Sequence, residues 1–531
     1  MLGKAFLLTS KVTYVSLSTD ERADVEYEAA LEHLRHDLDG YYPMYIDGAE
    51  VQSEDGEFEH RSPIDTSIVV GHFQKGTSKH ARLAIEAAKR SLEVWNAMQW
   101  QERVRIMRRA ADLIDQRKFE IAAAITYEVG KTRLEASAEA SEAVDAIRYY
   151  ANIMEENNGY TKKLGPGAPG EDCRMVSKPY GVWVVISPFN FPFMLANGMA
   201  LGALITGNTV VLKPTSEAPL TALMLFKIYR DAGVPKGVVN FITGPGPEFE
   251  EEFTCNPDVA GIAFTGSRDV GLRLRRKFLD NQPYPKPMVL EMGSKNPTIV
   301  TASADLKKAV EGIIRASFGY DGQKCSATSR VYVQDKVRSQ LLTMLTARVK
   351  ELVVGDPRRK DTFLGPLINQ AAIERYTKAV EDAKRSGATI VYGGHVLKNG
   401  DLQRGYYVEP TIITDLPSDH RLFREELFVP MILVDEFKSL DEALRKANDT
   451  DYGLTAGIFA EDPREIQEFM SKIEFGVAYA NRRGGATTGA WPGAQTFVGW
   501  KSSGATGKGI GGPNYLLSFV REQSQTIVTE S

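Results

Sequence analysis

Val182-Trp183-Val184-Val185-Ile186 is a short apolar run that ends in Ser187-Pro188-Phe189-Asn190-Phe191-Pro192. A run this short, rich in β-branched residues and bounded by a polar turn, reads as a strand covered on both faces. A helical pattern starts at Phe193. The unit then repeats, with strands over 209–212, 238–242 and 260–264 and a helix from Ala218. Short apolar strands alternating with helices imply a mostly parallel sheet carrying helices on both faces. In such sheets ligands gather at the carboxyl ends of the strands. Those ends are polar here: Lys213-Pro214-Thr215-Ser216, Thr243-Gly244-Pro245-Gly246 and Thr265-Gly266-Ser267. They do not spell the Gly-x-Gly-x-x-Gly fingerprint. A lysine at one strand end and a Gly-Ser entering a helix at another nevertheless suit a ribose and a pyrophosphate. Taken singly, each is an ordinary strand-to-helix turn.

Working outward, a second series follows, with strands over 298–300, 329–333, 389–392, 407–413, 431–436 and 454–459 and helices over 305–317 and 335–352. Upstream, 20–39 has the spacing of a charged amphipathic helix, and 42–51 reads as a strand turn around Asp47-Gly48. Long helical patterns span 78–98, opening with a Ser cap, then 100–129 and 131–155. The last is rich in Ala and Glu and reads as scaffold. Residues 159–170 are dense in Gly and Pro and, with 174–178, predict an exposed hairpin. The tail is Gly-rich as far as Gly512 and strand-like through Val528. The fold class is therefore α/β, with two doubly wound α/β domains.

The length, 531 residues, exceeds one ordinary core. With 43% hydrophobic and 25% charged residues the composition is that of a globular protein. A formal net charge of -5 leaves no electrostatic footprint for nucleic acid. Three cysteines, Cys173, Cys255 and Cys325, are too few for a disulfide framework and lack zinc-site spacing. No metal is expected. No apolar run is long enough to span a bilayer. The first nineteen residues lack acids and contain Lys4 and Lys11, as transit peptides do, but arginine is absent before Arg22. An N-terminal helical extension in a cytoplasmic protein is expected, with a mitochondrial address as the alternative.

Chemistry concentrates in Phe318-Gly319-Tyr320-Asp321-Gly322-Gln323-Lys324-Cys325-Ser326. Two glycines precede the sulfur, so backbone can approach a ligand closely there. A nucleophilic cysteine needs such access and an environment that favours thiolate. A small buried hydrophobe is the other reading. Upstream, Val289-Leu290-Glu291-Met292-Gly293-Ser294-Lys295-Asn296-Pro297 sets a carboxylate at the end of an apolar strand, directly before a flexible Gly-Ser.

These two segments, with the strand ends, resemble the aldehyde dehydrogenases from about Tyr41 to the C-terminus. The resemblance implies that Cys325 is the nucleophile, that the Asn190 side chain and the Cys325 backbone N–H hold the oxyanion, and that Glu291 activates the water that hydrolyses the acyl-enzyme. It implies NAD as cofactor, lined by Ile186, Ser187, Pro188, Lys213, Ser216, Gly246, Gly266, Ser267, Val270, Glu426 and Phe428. Many NAD-preferring members have a glutamate where this chain has Ser216, so NADP stays open. Val429 replaces a common glycine, and Met292-Gly293-Ser294 the usual Leu-Gly-Gly.

Within the family, Gln323 to Ala327, Asn190-Phe191 and Thr488-Gly489-Ala490 followed by Phe497 resemble the 1-pyrroline-5-carboxylate dehydrogenase branch, which oxidises L-glutamate γ-semialdehyde in proline degradation. Tyr42 to Ile46 and Gly512 to Leu516 resemble it too, while Trp491-Pro492 is unusual. The implied substrate residues are Glu135, Phe191, Lys324, Ser326, Gly489, Ala490 and Phe497. Ser326 and the N–H groups of Gly489 and Ala490 suit an α-carboxylate, Phe191 and Phe497 the aliphatic stem, and Glu135 the α-ammonium or plain surface. The implied domains are an extension over 1–40, a dinucleotide-binding domain over 41–156 and 178–290, an oligomerisation hairpin and strand over 157–177 and 508–531, and a catalytic domain over 291–507. A homodimer or an assembly of dimers and a proline dehydrogenase partner are further implications. Another semialdehyde or an aliphatic aldehyde as substrate, and a silent binding protein on the same fold, are the competing readings.

Overall fold

Strand Thr209–Pro214 is buried at every residue and Val182–Ser187 at all but one, as strands with helices on both faces must be. In the computed structural model, which describes residues 21–484 and 492–528, these strands lie at the centre of a seven-stranded sheet. Its order is Met288–Glu291, Val259–Thr265, Val182–Ser187, Thr209–Pro214, Val239–Phe241, Met44–Ile46 and Ala49–Val51. The first five run parallel, and the last two form an antiparallel hairpin at the edge. The chain moves one way from Val182–Ser187 and then jumps back to lay Val259–Thr265 on its other side. The crevice outside the carboxyl ends at that reversal is where ligands of such sheets bind.

A second seven-stranded sheet has the order Thr389–Tyr392, Thr411–Thr414, Met431–Phe437, Thr328–Gln334, Asn296–Val300, Thr455–Phe459 and Val477–Ala480, with only its first strand antiparallel. An antiparallel arm of Thr161–Lys163, Glu171–Pro179 and Val520–Val528 stands apart. The protein is thus two doubly wound α/β domains with a small β element. Among the described residues no helix is long and apolar enough to cross a membrane, and no cluster of His, Cys, Asp and Glu has the form of a metal site.

Several boundaries differ from the sequence reading. The helix expected over 100–129 breaks into Trp100–Gln116 and Lys118–Val129, because Arg117 leaves the helical region at φ -105, ψ 14. Thr77, not Ser78, caps the helix Ser78–Ala97, its N–H donating to His80 Nδ1 at 3.1 Å. The next helix starts at Arg133, which leaves Lys131 buried in the turn before it. Strand Glu171–Pro179 runs through the expected boundary at 178. The tail joins the arm only at Val520, since Phe519 packs at 4.5 Å on Trp183 of the first sheet.

Candidate active site

At the carboxyl edge of the first sheet Ile186 and Ser187 close their strand, and Ser187 O accepts the Thr215 N–H at 3.0 Å. Ser187 is buried, yet its hydroxyl has no hydrogen-bond partner. Pro188 is buried directly after it. Lys213 is buried at the end of its strand, and burial pushes its ammonium down to about 8. It faces the start of helix Gly246–Cys255, where a Cβ on Gly246 would stand 4.0 Å from its Nζ. Ser216 Oγ donates to Gly244 O at 3.3 Å.

Four helices open along this edge. Pro192–Ile205 (the Pro192 helix) has its first N–H groups taken: Glu139 Oε1 accepts Phe193 N at 2.9 Å and Met194 N at 3.0 Å. Pro219–Asp231 (the Pro219 helix) is closed likewise by Glu128, which accepts from Leu220 N, from Thr221 N at 3.0 Å and from Thr221 Oγ1 at 2.6 Å. By contrast Ser267, the N-cap of Arg268–Asn281, makes no side-chain capping bond, and Val270 lies half-buried in that helix's first turn. Gly266 N donates to Glu291 O at 3.1 Å. An open helix N-terminus, an unpartnered buried hydroxyl and a buried lysine across the crevice together fit a dinucleotide.

The second sheet supplies the thiol. Tyr320, Asp321 and Gly322 run left-handed at φ 49, 57 and 66 just before the Gln323-Lys324-Cys325 turn. Such a run is strained for non-glycine residues and persists only where its surroundings fix it. They do so here. The Gln323 amide accepts Ile368 N at 2.9 Å and donates to Pro366 O at 3.3 Å. Asn296 Nδ2 donates to Cys325 O at 2.7 Å and to Ala327 O at 2.9 Å. Its Oδ1 accepts Ser294 Oγ at 2.5 Å and Thr455 N at 3.0 Å, and Thr455 Oγ1 donates to Ser326 O at 3.1 Å.

Cys325 is half-buried. Burial pushes its thiol up to about 12, with the Glu426 and Glu291 carboxylates adding to the shift. Burial likewise holds the Glu291 carboxyl well above the usual carboxylate range, and its Oε2 has no hydrogen-bond partner. Glu426 Oε1 accepts Ser294 N at 2.7 Å, and burial pushes its carboxyl up to about 7. A Cβ at Gly293 would collide with that carboxylate and displace it from this position. Phe428, left-handed at φ 58, meets Phe189 edge-on at 5.8 Å.

Asn190, buried, lies between two residues whose contacts are known. Phe189 touches Phe428, and the Phe191 ring has Lys324 Nζ 6.0 Å and Lys131 Nζ 3.4 Å from its centroid. Lys324 pairs with Glu135 at 2.6 Å and Lys131 with Glu139 at 2.6 Å. The structure therefore draws Asn190, Phe191, Glu135, Lys324, Cys325, Glu291, Glu426 and Phe428 to one seam between the two sheets. Ser326 and Phe497 are buried, and Phe497 N donates to Ile510 O at 2.8 Å. Gly489 and Ala490, like Trp491, lie outside the described residues.

Sequence reasoning missed Lys131, Glu139, Gln323 and Asn296. Glu139 had a signal: it falls on the same stripe of Arg133–Glu156 as the buried Ala136, Ala140 and Ala143, where a scaffold helix has no use for an acid. A half-exposed thiol, a carboxyl with raised proton affinity and a side-chain amide donor make a site for attack on a carbonyl followed by hydrolysis.

The comparisons with known proteins agree with this chemistry. The model of the aldehyde dehydrogenase family matches residues 51–524. A 1-pyrroline-5-carboxylate dehydrogenase of Halalkalibacterium halodurans is 36% identical over 501 residues, covering 94% of this chain and 95% of the relative. Among solved structures, 1-pyrroline-5-carboxylate dehydrogenase from Thermus with bound NAD superposes with a TM-score of 0.92 at 33% identity, each chain covered to 100%. Proline utilization A from Bdellovibrio bacteriovorus reaches 0.91 at 34% identity, covering 96% of this chain and 52% of that longer one.

Proposed function

The chain belongs to the aldehyde dehydrogenase family and is an NAD(P)-dependent oxidoreductase, and from that premise we propose that it oxidises L-glutamate γ-semialdehyde to L-glutamate in proline degradation. The observation that carries the reading is the seam itself, where Cys325 lies in the field of Glu426 and Glu291 and beside the Lys324–Glu135 pair.

Cys325 Sγ, as thiolate, bonds to the aldehyde carbon, and the carbonyl electron pair moves onto oxygen. The Asn190 amide and the Cys325 backbone N–H receive that oxyanion. When bound along the first sheet's carboxyl edge, NAD supplies the acceptor for the hydride whose loss turns the adduct into a thioester. Lys213 and the uncapped Ser267 turn would hold its ribose and pyrophosphate, and Glu426 its second ribose. Glu291 then takes a proton from water, which adds to the thioester carbon and expels Cys325 as thiolate. Burial raises the proton affinity of Glu291, which strengthens it as an acceptor for the water proton.

Phe191 and Phe497 flank the substrate's methylenes, and Ser326 with the 489–490 backbone takes its α-carboxylate. Two subunits join through the arm, where Ile527 at 55% and Val528 at 64% exposure flank an open strand edge. The aldehyde is supplied by an enzyme that oxidises proline.

The test is NADH formation at 340 nm from the semialdehyde. Cys325→Ala lowers the rate by about 10⁴-fold or more, as loss of a covalent nucleophile does; an unchanged rate ends the proposal. A kcat/KM panel over succinate semialdehyde and propanal, run with NAD and with NADP, sets the substrate and cofactor preference.

A further inference from the structure

Lys295 stands one residue before strand Asn296–Val300 and is buried at 1% exposure. Its backbone is fixed, since Lys295 O accepts Arg330 Nη2 at 2.6 Å and Nε at 3.0 Å. Its side chain is not. Among the described residues the ammonium makes no hydrogen bond and no ion pair. A buried ammonium is unfavourable unless a carboxylate or water joins it. Beside it lies a cavity of about 20 Å³, room for about one water, whose walls include Glu426, Ser317 and Ser329. The Ser317 and Ser329 hydroxyls are sealed from solvent with no hydrogen-bond partner. An ammonium, two hydroxyls and a carboxylate around one small space are the lining a bound water needs.

The charges around this cavity are balanced near neutral pH. Burial and Arg330 push the Lys295 ammonium down to about 7, against the pull of Glu426 and Glu425. Burial pushes Glu426 up to about 7, against the Ser294 N–H, Lys295 and Arg375. Arg375 comes from helix Gln370–Arg385, its Nε donating to Leu427 O at 3.3 Å. Cys325 and Tyr452 also lie in the field of Glu426, and both stay protonated up to pH 9. Resting on the reading that Glu426 holds the second ribose of NAD, we propose that Lys295 is a positioning residue: through water in this cavity its ammonium holds Glu426 as a carboxylate, the form that accepts hydrogen bonds from ribose hydroxyls. Without that cation Glu426 keeps its proton to higher pH. Tight cofactor binding, present above the Glu426 titration and lost as pH falls through it, is then lost at a higher pH.

The test is the Kd of NAD for wild type, Lys295→Met and Glu426→Gln, measured by titration calorimetry from pH 6 to 9. In wild type binding tightens as pH rises through about 7 and then levels. K295M moves that rise up by about one pH unit, so NAD binds about fivefold more weakly at pH 7 and within about twofold of wild type at pH 9. Its thermal unfolding stays level or rises, because no ion pair is lost. A K295M profile that coincides with wild type, or is weakened equally at every pH, overturns the proposal. If E426Q binds NAD as wild type does, the ribose reading fails instead. Should K295M not fold, Lys295→Gln, which keeps a hydrogen bond to the cavity but no charge, is read by the same shift.

Discussion

The first sheet meets the active site with the carboxyl ends of its strands, and the second with the amino ends. At the first, four of the five parallel strands lead into helices whose N-terminal N–H groups and positive dipole ends face the crevice. Two of those N-termini are already engaged by Glu139 and Glu128, while those at Pro245 and Ser267 have no side-chain cap. At the second, the Cys325 loop follows the C-terminus of helix Leu306–Phe318, the negative dipole end. Reactive thiols usually lie at helix N-termini or beside cations. Cys325 instead lies in the field of two carboxylates. The contrast teaches a division of labour: the first edge offers helix N-termini, while at the second burial and two carboxylates favour the protonated thiol.

The comparison breaks most severely through Lys131 and Glu139, which fix the first edge next to Asn190. Both side chains are fully buried. Glu139→Gln takes the hydrogen-bonded carboxylate from the buried Lys131 ammonium and is expected to cost about 3–5 kcal/mol of stability. Because the Pro192 helix starts two residues after Asn190, kcat should fall by about 100-fold, as when an oxyanion donor is displaced. The double variant K131M/E139Q sharpens the point. It should recover most of the stability, read by thermal unfolding, but not kcat; recovery of both would mean that the pair only fills space.

How much of this could be read in the sequence depends on where the signal is local. The strand ends of the first sheet were legible because an apolar run followed by Lys-Pro-Thr-Ser or Thr-Gly-Ser is a short-range pattern. Family motifs, themselves local, singled out Cys325, Glu291 and Asn190, which the structure brings to one seam. The second sheet's amino-end approach was not legible, since nothing in the residues around Cys325 says which strand Asn296 will start or that Thr455 will lie beside it. Nor could periodicity separate Glu135 from surface acids: it sits at helical spacing, and only its partner lysine, 189 positions away, shows that it is engaged. The break at Arg117 was missed for the same reason, since the helical spacing of apolar residues continues through a residue whose backbone leaves the helix.

On the second edge, Asn296 ties the carbonyls of Cys325 and Ala327 to the start of Thr455–Phe459. Asn296→Ala strands those buried groups and should cost about 1–3 kcal/mol. We expect kcat to fall about tenfold with KM for NAD unchanged, because the cofactor edge is not touched. Faster hydrogen exchange over residues 323–328 would show that the loop has loosened. A rise in KM for NAD instead would show that the two edges are mechanically coupled and that the division of labour is incomplete.

The smallest effect sharpens the comparison most. With burial, then Glu426 and Glu291, pushing the thiol up to about 12, roughly one Cys325 in ten thousand is thiolate at pH 8. Deprotonation sets the alkylation rate, so labelling by iodoacetamide in cofactor-free protein should rise tenfold per pH unit from 7 to 10 with no plateau. Glu426 is itself pushed up to about 7, so over most of that range it carries the charge that opposes thiolate. Glu426→Gln removes that charge and leaves burial in place. Labelling should then be faster by a few-fold at each pH above 7, with the same slope. A plateau near pH 9 in wild type would place the thiol in the ordinary range, and the electrostatic contrast between the two edges would not hold.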